Sequence, residues 1–261
     1  MMKAVYGIRS YLAYLAKAKT RYGVHSPFVY RLLDQVIRET GRDPAYEQIA
    51  LYRRSLLKNK TYLHVTDLGA GSRHFRFAKR RIDRMARHSA NSYKENRLWY
   101  RLAKHFQPKR ILELGTHLGT ATYALHLGAP HAQLTSVEGS TELAQWTEAH
   151  LKRFGVKHVR IIQADFDRIL PELVQETPYD LIVVDGNHRY EPTLRYFDYL
   201  LKAVHPGSLI IWDDIHWSEE MSRAWEVIQS RPEVSVSIDL FCCGLTFFRE
   251  GQQKEHFVLR F

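Results

Sequence analysis

The chain has 261 residues, of which 45% are hydrophobic, enough for one well-cored domain with an appendage or for two small domains. No apolar run approaches the roughly 20 residues of a membrane span, and the amino terminus lacks the apolar core of a signal peptide. The two cysteines, Cys242 and Cys243, are adjacent and cannot join distant segments. We therefore expect no membrane span, and we predict a reducing, cytoplasmic location.

Positive charge is concentrated in the first part of the chain. Residues 1–110 contain 25 Lys and Arg against 7 Asp and Glu, whereas residues 111–261 contain 13 against 21. A basic segment can attract nucleic acid, a membrane surface or an anionic substrate. It can equally form a solvated face or pack on the acidic half, and we favour these two interpretations over nucleic-acid binding.

The first 92 residues are predicted to be mainly helical. Apolar residues recur at helical spacing between residues 5 and 15 and again between 28 and 37, and Ser26 and Pro27 are typical of a helix start between them. The glycine-rich stretch at 67–72 is interpreted as a loop before a basic helix at 73–81. We predict a basic, mainly helical extension at 1–92, which forms a lid, and a second domain at 93–261.

The stretch at 111–120, Ile-Leu-Glu-Leu-Gly-Thr-His-Leu-Gly-Thr, follows a helix predicted at 93–106 and indicates a strand, a tight turn and a helix start. Glycines allow the backbone to approach a ligand, and a helix amino terminus presents free N–H groups to it. This arrangement suits a nucleoside-like cofactor at the end of the first strand of an open α/β sheet. A glycine turn after a strand is also a common loop.

Four further strands, predicted at 134–137, 159–164, 180–184 and 208–212, all end at acidic residues. The residues at these ends are Glu138, Gly139, Asp165, Phe166, Asp185, Asp213 and Asp214. Glu138 follows the glycines by about 20 residues, where such folds place an acid on the ribose hydroxyls. Strands predicted at 234–240 and 244–249 close the sheet through a hairpin.

These residues together resemble class I S-adenosylmethionine-dependent methyltransferases. The resemblance is closest to catechol-type small-molecule O-methyltransferases and their uncharacterised bacterial relatives, and it covers residues 97–249. It implies an α/β, Rossmann-like sheet of seven mostly parallel strands, with an antiparallel last strand, beside the amino-terminal helical extension.

The resemblance also implies how S-adenosylmethionine is bound. Residues of the glycine turn would line its methionine part, the acid after the second strand would hold the ribose, and the residues after the third strand would meet the adenine. The implied cofactor residues are Glu113, Gly115, Thr116, Gly119, Glu138, Gly139, Asp165, Phe166 and Asp185.

The acids after the fourth and fifth strands are candidates for a metal site. Carboxylates of Asp185, Asp213 and Asp214 at neighbouring strand ends would suit Mg²⁺. The resembling enzymes hold Mg²⁺ with an Asp after strand four and an Asp-Asn pair after strand five, so Asp214 departs from their pattern. Histidine chemistry is the alternative to a metal, with His188 the better candidate for proton transfer and His216 the other. The predicted catalytic residues are Asp185, His188 and Asp213, which would activate or orient the acceptor with or without a divalent ion.

The sequence therefore predicts S-adenosylmethionine-dependent O-methylation of a small, aromatic or hydroxylated acceptor. One alternative is a noncatalytic or RNA-associated protein that uses Arg80, Arg81 and Arg84 of the basic half. Another is a different nucleotide-cofactor enzyme, such as an NAD-dependent oxidoreductase, although the Gly-x-Gly-x-x-Gly spacing is missing. The oligomeric state stays open, with a homodimer among the options.

Overall fold

The computed structural model describes residues 2–66, 69, 77–175 and 177–261, with side chains from residue 6. Its helices are α1 (Met2–Lys17), α2 (Pro27–Leu32), α3 (Pro44–Lys58), α4 (Ile82–His88), α5 (Tyr93–Phe106), α6 (Thr120–Gly128), α7 (Thr141–Arg153), α8 (Phe166–Leu173), α9 (Tyr190–Leu200) and α10 (Glu219–Ser230). Its strands are β1 (Tyr62–His64), β2 (Lys79–Arg81), β3 (Arg110–Leu114), β4 (Gln133–Glu138), β5 (Val159–Gln163), β6 (Leu181–Val184), β7 (Leu209–Asp213), β8 (Val236–Asp239), β9 (Cys243–Phe247) and β10 (Glu255–Val258).

The main sheet has eight strands, and most of its pairings are parallel. In one part, β4 pairs in parallel with both β3 and β5. In the other, β6 pairs in parallel with β7, while β9 runs antiparallel to both β7 and β8. The predicted α/β fold with an antiparallel strand near its end is therefore confirmed.

Two details differ from the sequence prediction. The tail that follows the predicted seventh strand adds an eighth strand, β10, which pairs in parallel with β8. Residues 79–81, predicted to end a basic helix, instead form β2, which pairs antiparallel with β1 in a separate two-stranded sheet. Of the glycine-rich stretch at 67–72, only Gly69 lies within the described residues.

The contacts divide the chain into two compact units. We call residues 40–169 the central unit, and residues 1–39 with 170–261 the terminal unit. The amino-terminal segment belongs to the terminal unit, where the Tyr14 hydroxyl donates to the Leu259 carbonyl (2.5 Å) and Phe28 packs edge-on against Phe247. The boundary predicted between residues 92 and 93 stays a prediction.

Helix α5 illustrates how the local sequence sets an element. Ser92 and Glu95 form a capping box, in which each side chain accepts from the backbone N–H of the other. Leu98 and Leu102 are then fully buried on one side of the helix. The bounds predicted from this pattern, 93–106, are confirmed.

Within the part of the chain that the structure describes, every helix is too short or too polar to cross a lipid bilayer.

A buried histidine in the central unit makes its stability depend on pH. His150 stacks on Trp146, lies 2.9 Å from the Ser55 hydroxyl, and is 7% exposed. Burial lowers the pKa of His150 to about 4 from 6.5. Because the folded pKa is depressed, this histidine favours folding above pH 6.5, and the contribution is lost as the pH falls from there toward 4.

We expect the free energy of unfolding to fall by about 1 to 2 kcal/mol between pH 7 and pH 5 through His150 alone. Urea unfolding at both pH values measures this change, and His150→Gln should remove that part of it. His131→Gln, at an exposed position of the same unit, is the control. An unchanged pH dependence in His150→Gln would contradict the assignment.

Candidate cofactor and acceptor sites

The glycine turn between β3 and α6 has the conformation that its sequence indicates. Gly115 and Gly119 have φ angles of 106° and 70°, a region that favours glycine. The amides of Gly115 and Thr116 both donate to the Val137 carbonyl, which ties the turn to β4. His117 also has a positive φ, 47°, so three residues of this short turn carry left-handed backbone.

Two helices of the central unit support this turn. The Tyr52 hydroxyl of α3 donates to the Leu118 carbonyl (2.8 Å), and the Thr147 hydroxyl of α7 donates to the His117 carbonyl (2.7 Å). Tyr52 also stacks on Tyr123 of α6 at 4.5 Å. Helix α3, predicted as part of an extension, is thus part of the structure that fixes the turn.

Gly119 is confined by the same two side chains. A Cβ atom at this position would lie 2.8 Å from both Thr147 Cγ2 and Tyr52 Oη. The φ angle of 70° is also strained for any residue that has a side chain. We expect Gly119→Ala to lower the free energy of unfolding by about 2 to 4 kcal/mol.

Gly155→Ala is the matched control for this prediction. Gly155 has a similar φ of 75°, but no atom lies within 4 Å of its added Cβ. Denaturant unfolding of both variants separates backbone strain from the clash. Equal losses in the two variants would show that Tyr52 and Thr147 do not confine Gly119.

Glu113 is fully buried beneath the turn. Its Oε2 accepts from the hydroxyls of Thr122 (2.6 Å) and Ser136 (2.5 Å), and Ser136 also lies 2.6 Å from the Thr116 hydroxyl. This network joins β3, β4, α6 and the turn. In this arrangement the Glu113 carboxylate fixes the turn and has no exposed surface for a ligand.

Glu138, at the end of β4, connects the two loops of the predicted cofactor site. Its Oε2 accepts from the His117 amide and its Oε1 from the Ser140 amide, both at 2.9 Å. The side chain is half-buried. An ionised carboxylate has about four acceptor positions, so these two bonds leave capacity for a diol.

The residues after β5 and β4 are accessible. Asp165 is exposed and its Oδ1 accepts from the Asp167 amide (2.8 Å), so it caps the start of α8, while Phe166 is half-buried. The Gly139 carbonyl accepts from the Gln163 side chain at 3.2 Å. The residues after β4 and after β5 lie in the central unit, as do all the other predicted cofactor residues except Asp185.

The terminal unit contains the predicted catalytic pair. Asp185 follows β6 directly, and its Oδ1 lies 3.5 Å from His188 Nε2, with each side chain about one-fifth exposed. Asn187 and His188 both have positive φ angles, 66° and 46°, and Asn187 is held by a bond to the Tyr196 hydroxyl. Trp217 lies beside the His188 ring, with the ring centres 5.9 Å apart.

The predicted metal residues do not form a metal site. Val184 pairs with Trp212, so Asp185 and Asp213 end neighbouring strands at the same level. Asp213 is buried, whereas Asp214 has a φ of 55° and its amide bonds the Cys242 carbonyl. Among the described residues, no three His, Cys, Asp or Glu side chains are placed to hold a metal ion. As placed here, the three carboxylates are not a ligand set, so use of Mg²⁺ by this protein stays a prediction.

His216 lies in a different polar network. Its ring nitrogens lie 2.8 Å from the Ser222 hydroxyl and 2.8 Å from Asp239 Oδ2, and its ring stacks on Phe241. Trp212 is a buried core residue whose indole N–H donates to the Thr246 hydroxyl.

The basic residues proposed for RNA binding are partly engaged within the protein. The Arg81 guanidinium binds both carboxylate oxygens of Asp83, at 2.6 and 2.8 Å. Arg80 donates to the Phe77 carbonyl. RNA binding by this segment stays a prediction.

Sequence reasoning missed the side chains that support the cofactor loops. These are Tyr52, Thr122, Ser136, Ser140 and Thr147. Each is an ordinary helix, strand or loop residue in its own segment, and no local motif distinguishes it.

The chain is similar to known methyltransferases, in part of its sequence and in its fold. Residues 112–215 match the family described as "Methyltransferase domain". This match spans β3 to the residues just after β7, which include the glycine turn, Glu138, Asp185 and His188.

Two curated relatives are named methyltransferases. A catechol O-methyltransferase of Niastella koreensis is 33% identical over 118 residues, which are 44% of this chain and 52% of the relative. A flavonoid 3',5'-methyltransferase of Vitis vinifera is 30% identical over 131 residues, 48% of this chain and 55% of the relative. The chain thus spans about half the length of the curated relatives it matches.

Solved structures extend the likeness in fold to most of the chain. A Podospora anserina methyltransferase with bound SAH covers 87% of this chain and 97% of its own, with a TM-score of 0.60 and 17% identity. A Streptomyces achromogenes O-methyltransferase in complex with SAM covers 85% and 95%, with a TM-score of 0.55 and 22% identity. Residues 112–215 are thus similar to a methyltransferase domain, and the fold of the chain is similar to that of solved methyltransferases.

Proposed function

We propose that this protein transfers a methyl group from S-adenosylmethionine to a hydroxyl oxygen of a small, aromatic or hydroxylated acceptor. The observation that carries the proposal is Glu138, whose carboxylate joins the glycine turn to the loop after β4. A carboxylate fixed there by backbone amides is suited to accept from a ribose diol. The names of the relatives, a catechol and a flavonoid methyltransferase, support a hydroxylated acceptor.

The central unit would hold the cofactor. Glu138 would accept from the ribose, and Gly115, Thr116 and Gly119 would bring backbone close to the methionine part. Asp165 and Phe166 would contact the adenine edge and face. When bound, S-adenosylmethionine supplies a methyl group on a positively charged sulfur.

The terminal unit would prepare the acceptor. His188 would take the proton of the acceptor hydroxyl as the oxygen attacks, and Asp185 would stabilise the charged imidazole that results. Most of the acceleration would come from alignment of the acceptor oxygen with the methyl group. We assign no step to Mg²⁺, since Asp185, Asp213 and Asp214 do not form a ligand set.

Calorimetric titration with S-adenosylmethionine, SAH and NAD⁺ tests the cofactor, and transfer of labelled methyl to a catechol, with and without EDTA, tests the reaction. We expect the first two ligands to bind and NAD⁺ not to bind. Binding of NAD⁺ alone would favour the oxidoreductase alternative, and absence of all binding would overturn the proposal. EDTA-sensitive transfer would reinstate the metal.

A further inference from the structure

Helix α1 presents an apolar surface to solvent. Ile8, Tyr11 and Leu12 are 65%, 46% and 61% exposed, and their spacing places them on one side of the helix. A single exposed leucine is ordinary, but three large apolar residues on one helical side form a contiguous patch.

The opposite side of α1 is firmly attached to the terminal unit. The Tyr6 hydroxyl bonds the Ser222 hydroxyl of α10 (2.6 Å), and Tyr14 is buried against the carboxyl-terminal segment. Tyr11, although 46% exposed, also contacts the Phe241 ring, with ring centres 4.9 Å apart, and so adds to the attachment from the edge of the exposed side. The exposed side therefore belongs to a helix that is held in place.

A further exposed aromatic residue follows the helix in the chain. Tyr22, in the short 3₁₀ turn Arg21–Gly23, is 82% exposed. The Arg21 guanidinium lies over its ring, 5.0 Å from the centre. An aromatic ring beside a cation at an exposed turn is typical of residues that lie at a lipid headgroup layer.

The charged residues of the first 33 positions are all cations. Residues 1–33 contain six Lys and Arg and no Asp or Glu, and Asp34, the first acid, lies 3.9 Å from Arg21. Of these six, Arg9, Lys17, Lys19, Arg21 and Arg31 have described side chains, and all five are exposed. A second copy of this face would bring like charges together, whereas an anionic surface would be complementary.

We propose that α1 and the turn at 21–23, which we call the α1 face, dock on the surface of an anionic lipid bilayer. Ile8, Leu12 and Tyr22 would enter the headgroup layer, and the surrounding cations would bind anionic lipid. The terminal unit also contains Asp185 and His188. Docking would therefore bring the unit with the proposed acceptor residues to the membrane, although the lipid contact itself does not depend on the proposed function.

Flotation of the full-length protein with lipid vesicles tests this proposal. The vesicles are phosphatidylcholine alone and an equal mixture of phosphatidylcholine and phosphatidylglycerol. We expect binding to the mixed vesicles only, with a loss as salt is raised. The double variant Ile8→Glu/Leu12→Glu should bind at least about tenfold more weakly.

Leu51→Glu is the matched control, because Leu51 is an exposed leucine (47%) on α3 of the central unit. It should bind vesicles as the unchanged protein does. Arg9→Gln/Lys17→Gln, which keeps the apolar residues, should lose mainly the preference for phosphatidylglycerol. Circular dichroism confirms that each variant is folded.

Three outcomes would overturn the proposal. The first is equal binding to both vesicle types, and the second is a loss of vesicle binding in Leu51→Glu equal to that in Ile8→Glu/Leu12→Glu. The third is a protein that binds no vesicles and that light scattering shows to be a dimer, which Ile8→Glu/Leu12→Glu dissociates. The last would assign the α1 face to a second copy. Because vesicle binding requires no cofactor, none of these outcomes bears on S-adenosylmethionine binding.

Discussion

Glu138→Gln is expected to weaken binding of S-adenosylmethionine by about a hundredfold. The substitution keeps the size of the side chain but replaces one carboxylate oxygen by an NH₂ group. The Glu138 carboxylate accepts from the backbone amides of both His117 and Ser140. The NH₂ group of glutamine is a donor, so it would face one of these two N–H groups without forming a hydrogen bond. The proposed ribose contact loses its charge as well. Calorimetric titration measures the change directly.

Glu148→Gln is the matched control for this prediction. Glu148 lies on α7 of the same unit, and its carboxylate pairs with Lys152 on the surface. It should leave the dissociation constant unchanged. If Glu138→Gln were folded and bound the cofactor within about twofold of the unchanged protein, Glu138 would have no part in the cofactor site.

His188→Gln is expected to lower kcat/KM for methyl transfer by about 10²- to 10⁴-fold, the usual contribution of a positioned general base. The reason is its place beside Asp185, 3.5 Å from Oδ1, in a strained and partly accessible loop. Binding of S-adenosylmethionine should be unchanged, because the variant leaves the central unit intact.

His205→Gln provides a matched comparison, because His205 also pairs with an aspartate, Asp180, at 3.1 Å. His205 precedes β7, at the end opposite to Asp213. Its replacement should leave kcat/KM unchanged. Full activity of His188→Gln would remove this residue from the mechanism, and equal losses in both variants would show a general effect on the terminal unit.

The sequence by itself predicted most of the helices and strands of the main sheet and their order along the chain. It also predicted which strands are followed by acidic residues. The α5 capping box, the glycines at 115 and 119 and the acids after each strand act through backbone preferences within a few residues. Such preferences are readable from local sequence. The resemblance to class I S-adenosylmethionine-dependent methyltransferases and the predicted cofactor residues rest on these patterns.

Tertiary structure decided the contacts between distant segments. Glu113 bonds Ser136, 23 residues away, and Tyr52 bonds the carbonyl of Leu118, 66 residues away, so no local pattern reports either contact. Lys79–Arg81 became a strand through pairing with Tyr62–His64. Glu255–Val258 likewise became one through pairing with β8. In both cases the segment forms a strand because another strand pairs with it, more than because of the intrinsic β-propensity of its residues.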